Sequence, residues 1–149
     1  MMLTTNLWSR RKAATAVELA FVLIPLIMLI MGIFQYGLIL MDWNLLINSA
    51  SQGCRFALAN NKDTNISTEV QNIVTNYMAG RNSNFNNFTV TVTGTHGGIS
   101  TPVNNLAAGD PITVTVTGNY RFVNFIPLVS TPGSLPMSTS ATMICEGGP

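Results

Sequence analysis

The chain has 149 residues, of which 47% are hydrophobic and only 9% charged, and its formal net charge is +1. Once an apolar N-terminal third is set aside, this leaves room for one small folded domain. It supplies no field to steer nucleic acid or a strongly charged substrate, so no nucleic-acid partner is expected.

The chain opens on a short leader, residues 1–13, that carries the basic cluster Arg10, Arg11 and Lys12. Trp8 in this leader suits a membrane interface, where indoles are enriched. Residues 14–41 read as a transmembrane helix: from Leu19 to Met41 no side chain is charged, and roughly 20 apolar residues cross a bilayer. Three cations precede the run and no Lys or Arg follows until Arg55. The positive-inside bias therefore places the N-terminus in the cytoplasm and exports residues 42–149. A removed secretory signal is the competing account, but its apolar region is normally about 7 to 15 residues and ends in a small-residue cleavage site. Here the run continues through Phe34 to Met41 without such a break.

Glu18 stands at the front of the apolar run. Headgroups at the membrane edge can solvate it. Alternatively, if the chain is cut between Ala13 and Ala14, the new ammonium lies one helical turn before Glu18 and either group pairs within the chain or with a neighbouring subunit, since a carboxylate near lipid is costly alone. Pro25 cannot donate a backbone hydrogen bond, which predicts a kink or loosening in the helix. Gly32 and Gly37 are flat spots whose spacing does not fit the small-xxx-small pattern. Met28, Met31 and Met41 read as lipid-facing or packing filler. Gln35 and Tyr36 mark the outer third of the span, and Asp42-Trp43-Asn44 its outer boundary.

Beyond it, Trp43, Leu46, Ile47, Ala50, Cys54, Ala57 and Leu58 recur at spacings of three and four, with Asn44, Asn48, Ser51, Gln52 and Arg55 opposite. This predicts an amphipathic extension of the helix. Asn60-Asn61-Lys62-Asp63 breaks the pattern. A second helix is predicted from about Ser67 to Gly80, with Val70, Ile73, Val74, Tyr77 and Met78 on one face, then a loop from Arg81 to Asn87. Phe88–Thr93 and Ile112–Thr117 alternate apolar residues with threonine, the pattern of half-buried antiparallel strands. His96-Gly97-Gly98 and Ala107–Pro111 read as turns. A third strand is predicted from Met137 to Glu146, with Met137, Ala141, Met143 and Cys145 facing inward. Asn124–Pro136 reads as a Pro-broken connection whose Phe125, Ile126, Leu128 and Val129 cover the core or touch the membrane. The predicted fold class is α+β: a long N-terminal transmembrane helix, a second helix and a roughly three-stranded antiparallel sheet.

Such packing brings Cys54, on the helix stripe, toward Cys145, on the last strand. An exported domain permits a Cys54–Cys145 disulfide; two buried free thiols are the alternative. For catalysis the pattern offers nothing. His96 sits in a Gly-flanked turn, and no His or Cys cluster has metal spacing. Paired carboxylates and a phosphate-binding Gly-Lys loop are likewise absent. No enzyme activity, cofactor or small-molecule substrate is expected. The charges Asp42, Asp63, Glu69, Asp110, Glu146, Arg55, Lys62, Arg81 and Arg121 are scattered and read as solubilising.

The run Arg10-Arg11-Lys12-Ala13-Ala14-Thr15-Ala16-Val17-Glu18-Leu19-Ala20, then Val22-Leu23-Ile24-Pro25-Leu26, resembles the N-terminus of TadE-like proteins, pseudopilins of the tight-adherence (Tad/Flp) pilus system. Ser49–Ala57 is similar to a second stretch of that family, and Ala141-Thr142-Met143 to a third. The resemblance implies a pilin-like fold and a minor-pilin role in a type IV-like pilus of the bacterial inner membrane. It implies cleavage by a prepilin peptidase before Ala14, with Ala13 the last leader residue and Glu18 paired with the new ammonium. The implied partners are membrane lipid, that peptidase, other pilins and pilus assembly proteins. The alternative is an unprocessed single-span protein whose exported domain binds a ligand or partner.

Overall fold

The computed structural model describes residues 5–122 and 133–145, with side chains described from residue 15 onward. Its contacts divide the chain into two units, Met1–Leu38 and Ile39–Pro149.

Helix α1, Thr5–Ala59, is 55 residues long and continues across Pro25. From residue 15 to Leu38 most of its described apolar side chains are exposed, Val17, Leu19, Phe21, Ile24 and Ile33 all by at least 60%. Such a surface is far larger than the apolar patches soluble monomers leave in water. The helix is long and apolar enough to cross a membrane, which is compatible with a single-span membrane protein.

From Ile39 onward α1 belongs to an α+β unit, and its inward row is Asp42, Leu46, Ser49, Ala50, Cys54 and Ala57, all 0% exposed. Ile47, expected on that row, is instead 38% exposed. Helix α2, Ile66–Tyr77, buries Ile66, Val70 and Val74. An aspartate turn precedes it, with Asp63 Oδ1 accepting from the Asn65 backbone N–H at 2.9 Å, and Glu69 sits favourably in its first turn. Two residues with positive φ, Ala79 (49°) and Gly80 (81°), end the helical path. Tyr77, assigned to the inner face from spacing, is 45% exposed, while Met78 fills that place at 0%. At Gly53 α1 and α2 approach closely: a Cβ there would lie 2.7 Å from Val74 Cγ2.

Arg81–Asn84, expected as loop, forms a 3₁₀ turn, and β1 (Phe85–His96) starts three residues before the predicted strand. A short β2 (Ile99–Thr101) folds back on its end. With β3 (Pro111–Arg121) and β4 (Ser134–Ile144) the sheet has four strands, ordered β2-β1-β3-β4 and antiparallel at each pairing. Three strands were expected; β2 was hidden because three residues are too short for an alternating pattern.

The two Thr-Val strands are neighbours in register, Val90 opposite Val116 and Val92 opposite Val114. In β3, Ile112, Val114, Val116 and Tyr120 are buried, alternating with half-buried Thr113, Thr115 and Thr117 on the other face. A bulge between Asn86 and Thr89, with Asn87 at φ 54°, shifts the first part of β1. Fully burying each Leu, Ile or Val of this core is worth about 1.5–3 kcal/mol. The predicted cover residues Phe125, Ile126, Leu128 and Val129 lie outside the described residues.

Candidate functional site

Two regions carry chemistry, and α1 supplies residues to both. In the first, Ala14 lies one helical turn before Glu18, and Arg10, Arg11, Lys12 and Ala13 precede it on the same helix. The Glu18 side chain is exposed. The geometry leaves the carboxylate open to lipid, solvent or another chain.

The second region begins at Asp42. Its carboxylate is fully buried and is held from two sides. Arg81 Nε donates to Oδ1, and Asn84 Nδ2 donates to Oδ2 at 3.2 Å. Both donors come from the 3₁₀ turn after α2, so this network fastens the start of the sheet to α1. The hydrogen bond to Asp42 holds the Arg81 guanidinium more firmly protonated than usual, against a smaller opposing effect of burial. Burial pushes the Tyr120 phenol up, and the Asp42 carboxylate adds to the effect. Tyr120 in turn meets Phe85 edge-on at 5.7 Å and Phe122 at 6.0 Å.

Treating Asp42 and Arg81 as solubilising charges is therefore corrected. The signal was present: Asp42, Leu46, Ala50 and Cys54 form one i, i+4 row, and a charge on an apolar row needs a buried partner.

At the opposite end of the sheet, His96 also has a partner. Continuing the Gly94–Ile112 register by two residues sets His96 across from Asp110, and His96 Nδ1 lies 2.7 Å from Asp110 Oδ2. That oxygen also accepts the Ala107 backbone N–H at 2.7 Å. This N–H, then the hydrogen bond and charge of His96, hold the Asp110 carboxyl below its usual value. The turn read from Gly97-Gly98 is real, but His96 closes the sheet rather than standing alone in solvent.

Cys54 and Cys145 are both buried free thiols of one core. Cys54 Sγ donates to the Ile112 carbonyl at 3.4 Å, while Cys145 Sγ accepts from Asn61 Nδ2 at 3.8 Å. Ile112 pairs with Met143, so Cys145 lies one inward-facing row further along the sheet. Burial pushes the Cys54 thiol up.

On the outer face, a recess of about 410 Å³ is lined by Asn87, Thr89, Thr117, Gly118, Asn119, Pro136, Met137 and Ser138, none of them titratable. Among the described residues no group of His, Cys, Asp or Glu is placed to hold a metal ion.

Residues 13–55 match the family model of TadE-like proteins. The matched stretch contains Glu18, the apolar run and the inward row of α1 as far as Cys54. No curated protein and no solved structure matches the chain.

Proposed function

We propose that this chain, TadE-like over residues 13–55, is a minor pilin or pseudopilin that takes part in assembling a Tad/Flp-type pilus. The observation that carries this reading is the coincidence of that match with one long helix on which most of the described apolar side chains up to Leu38 are exposed. In this role the helix spans the inner membrane with its N-terminus in the cytoplasm, and the α+β unit is exported. A prepilin peptidase cuts between Ala13 and Ala14. The Ala14 ammonium then lies one turn from Glu18, where either its own carboxylate or a neighbouring subunit's neutralises it. The exported unit offers contact surfaces to other pilins rather than a reaction centre.

The mature N-terminus tests the reading. Terminal sequencing of protein purified from cells that contain the peptidase is expected to begin at Ala14. A chain still beginning at Met1 or Met2 would instead support the unprocessed single-span alternative. Within the same reading, Glu18→Gln abolishes or strongly reduces assembly while membrane insertion is retained; unchanged piliation would remove Glu18 from the mechanism.

A further inference from the structure

The end of the sheet that Asp42 fastens has an unbalanced charge. Arg81 is neutralised by Asp42, but Arg121, the last residue of β3, is exposed and no hydrogen bond or ion pair to another described residue holds it. Extending the first β1–β3 pair, Phe85 opposite Tyr120, by one residue sets Asn84 across from Arg121. Between them lies a recess of about 240 Å³ lined by Ser83, Asn84, Arg121 and Phe122.

Three of its four lining residues are held in place. The Asn84 amide is pinned by Asp42, Ser83 Oγ donates to the Gly80 carbonyl at 2.9 Å, and Phe122 packs edge-on against Tyr120. Among the groups that line it, the donors open to a ligand are the guanidinium fork of Arg121 and the Asn84 amide hydrogen that Asp42 does not take. A planar guanidinium fork beside a fixed amide suits the oxygens of a phosphate group. Asp42 follows directly on the apolar run that ends at Met41. The hydrogen bond from Asn84 to Asp42 therefore ties the Asn84 side of the recess to the outer boundary of the span, where phosphates are densest.

We infer that this recess binds a phosphate group, with the headgroup of an anionic phospholipid in the outer leaflet as its source. The inference rests on the single-span reading above. Its effect would be to set the height and tilt at which the exported unit meets the bilayer.

The test uses the full chain reconstituted in phosphatidylcholine bilayers containing trace spin-labelled phosphatidylglycerol or phosphatidylcholine. Electron paramagnetic resonance then measures the motionally restricted fraction of each label. Arg10, Arg11 and Lys12 also attract anionic lipid, so the contribution of the recess is the difference between the native chain and Arg121→Gln. One Arg near a charged surface is worth about a fivefold preference. Arg121→Gln is expected to lose that factor and Arg121→Lys to retain part of it, with unchanged circular dichroism. Equal phosphatidylglycerol preference in the native chain and Arg121→Gln overturns the inference while leaving the span intact. No restricted lipid of either kind would instead overturn the single-span reading, and the inference with it. Loss of the preference on adding inorganic phosphate, but not chloride at matched ionic strength, would overturn the lipid source in favour of the free ion.

Discussion

The Asp42–Arg81 pair predicts an asymmetry between its two single substitutions. Asp42 is 0% exposed, whereas the Arg81 side chain retains 29% of its exposure. Arg81→Met leaves the buried Asp42 carboxylate with the Asn84 amide as its remaining side-chain partner among the described residues, and breaking a buried pair in this way costs about 3–5 kcal/mol. Asp42→Asn leaves a hydrogen-bonding amide in place and a guanidinium that can turn toward water. Discounted for that solvent access, its cost falls to about 1–2 kcal/mol. Replacing both, as Asp42→Leu with Arg81→Met, removes the buried charges together and is expected to cost less than Arg81→Met alone. Small domains have about 5–15 kcal/mol in total, so Arg81→Met removes a large share. Urea unfolding of the full chain in micelles, followed by near-UV circular dichroism and Trp43 fluorescence, reads the difference. With a slope of about 1–3 kcal/mol per molar, Arg81→Met should lower the midpoint by roughly 1 M or more. Equal shifts for the two single variants, or a double variant less stable than either, would refute the reasoning.

Three further outcomes follow from the core and its edges. Gly53→Ala places a methyl group 2.7 Å from Val74 Cγ2 and is expected to destabilise by about 1–3 kcal/mol; adding Val74→Ala should recover part of the loss, and no recovery would show that the two helices are not in contact there. Asp110 has a depressed carboxyl pKa, so its contribution is present above the ordinary aspartate value of about 3.9 and is lost as pH falls through the folded-state pKa. Unfolding midpoints measured from pH 6 to pH 2 should therefore fall less steeply for Asp110→Asn than for the native chain. Cys54 and Cys145 are free and buried, so both should alkylate without reductant once the chain is denatured, and slowly before. Uptake that requires reductant would show that the chain carries the Cys54–Cys145 disulfide instead.

Local patterns settled much of the architecture because each element carries its own periodicity. The apolar run to Met41 needs no tertiary context to read as a span, since its length and lack of charge already match a bilayer. The alternation of Thr and Val likewise defines β1 and β3 and their faces, with Val114 and Val116 inward and Thr113 and Thr115 outward. The row of Leu46, Ala50, Cys54 and Ala57, at spacings of four and three, identified the side of α1 that is buried. The TadE-like stretch was legible for a similar reason, being contiguous from residue 13 to residue 55.

What the local pattern left undecided depends on residues far apart in the chain. Nothing near Asp42 indicates that Arg81 neutralises it, because their meeting follows from α2 returning along α1 to deliver the 3₁₀ turn. Nothing near His96 indicates Asp110, because the pair exists only once β1 and β3 share a register. Even the exposed positions Ile47 and Tyr77 were decided by which neighbouring turn of the helix had a partner to pack on. Hydrophobic periodicity thus determined which elements form and roughly which way they face. Tertiary packing decided which charges are buried, because a charge's role is set by the partner the fold brings to it.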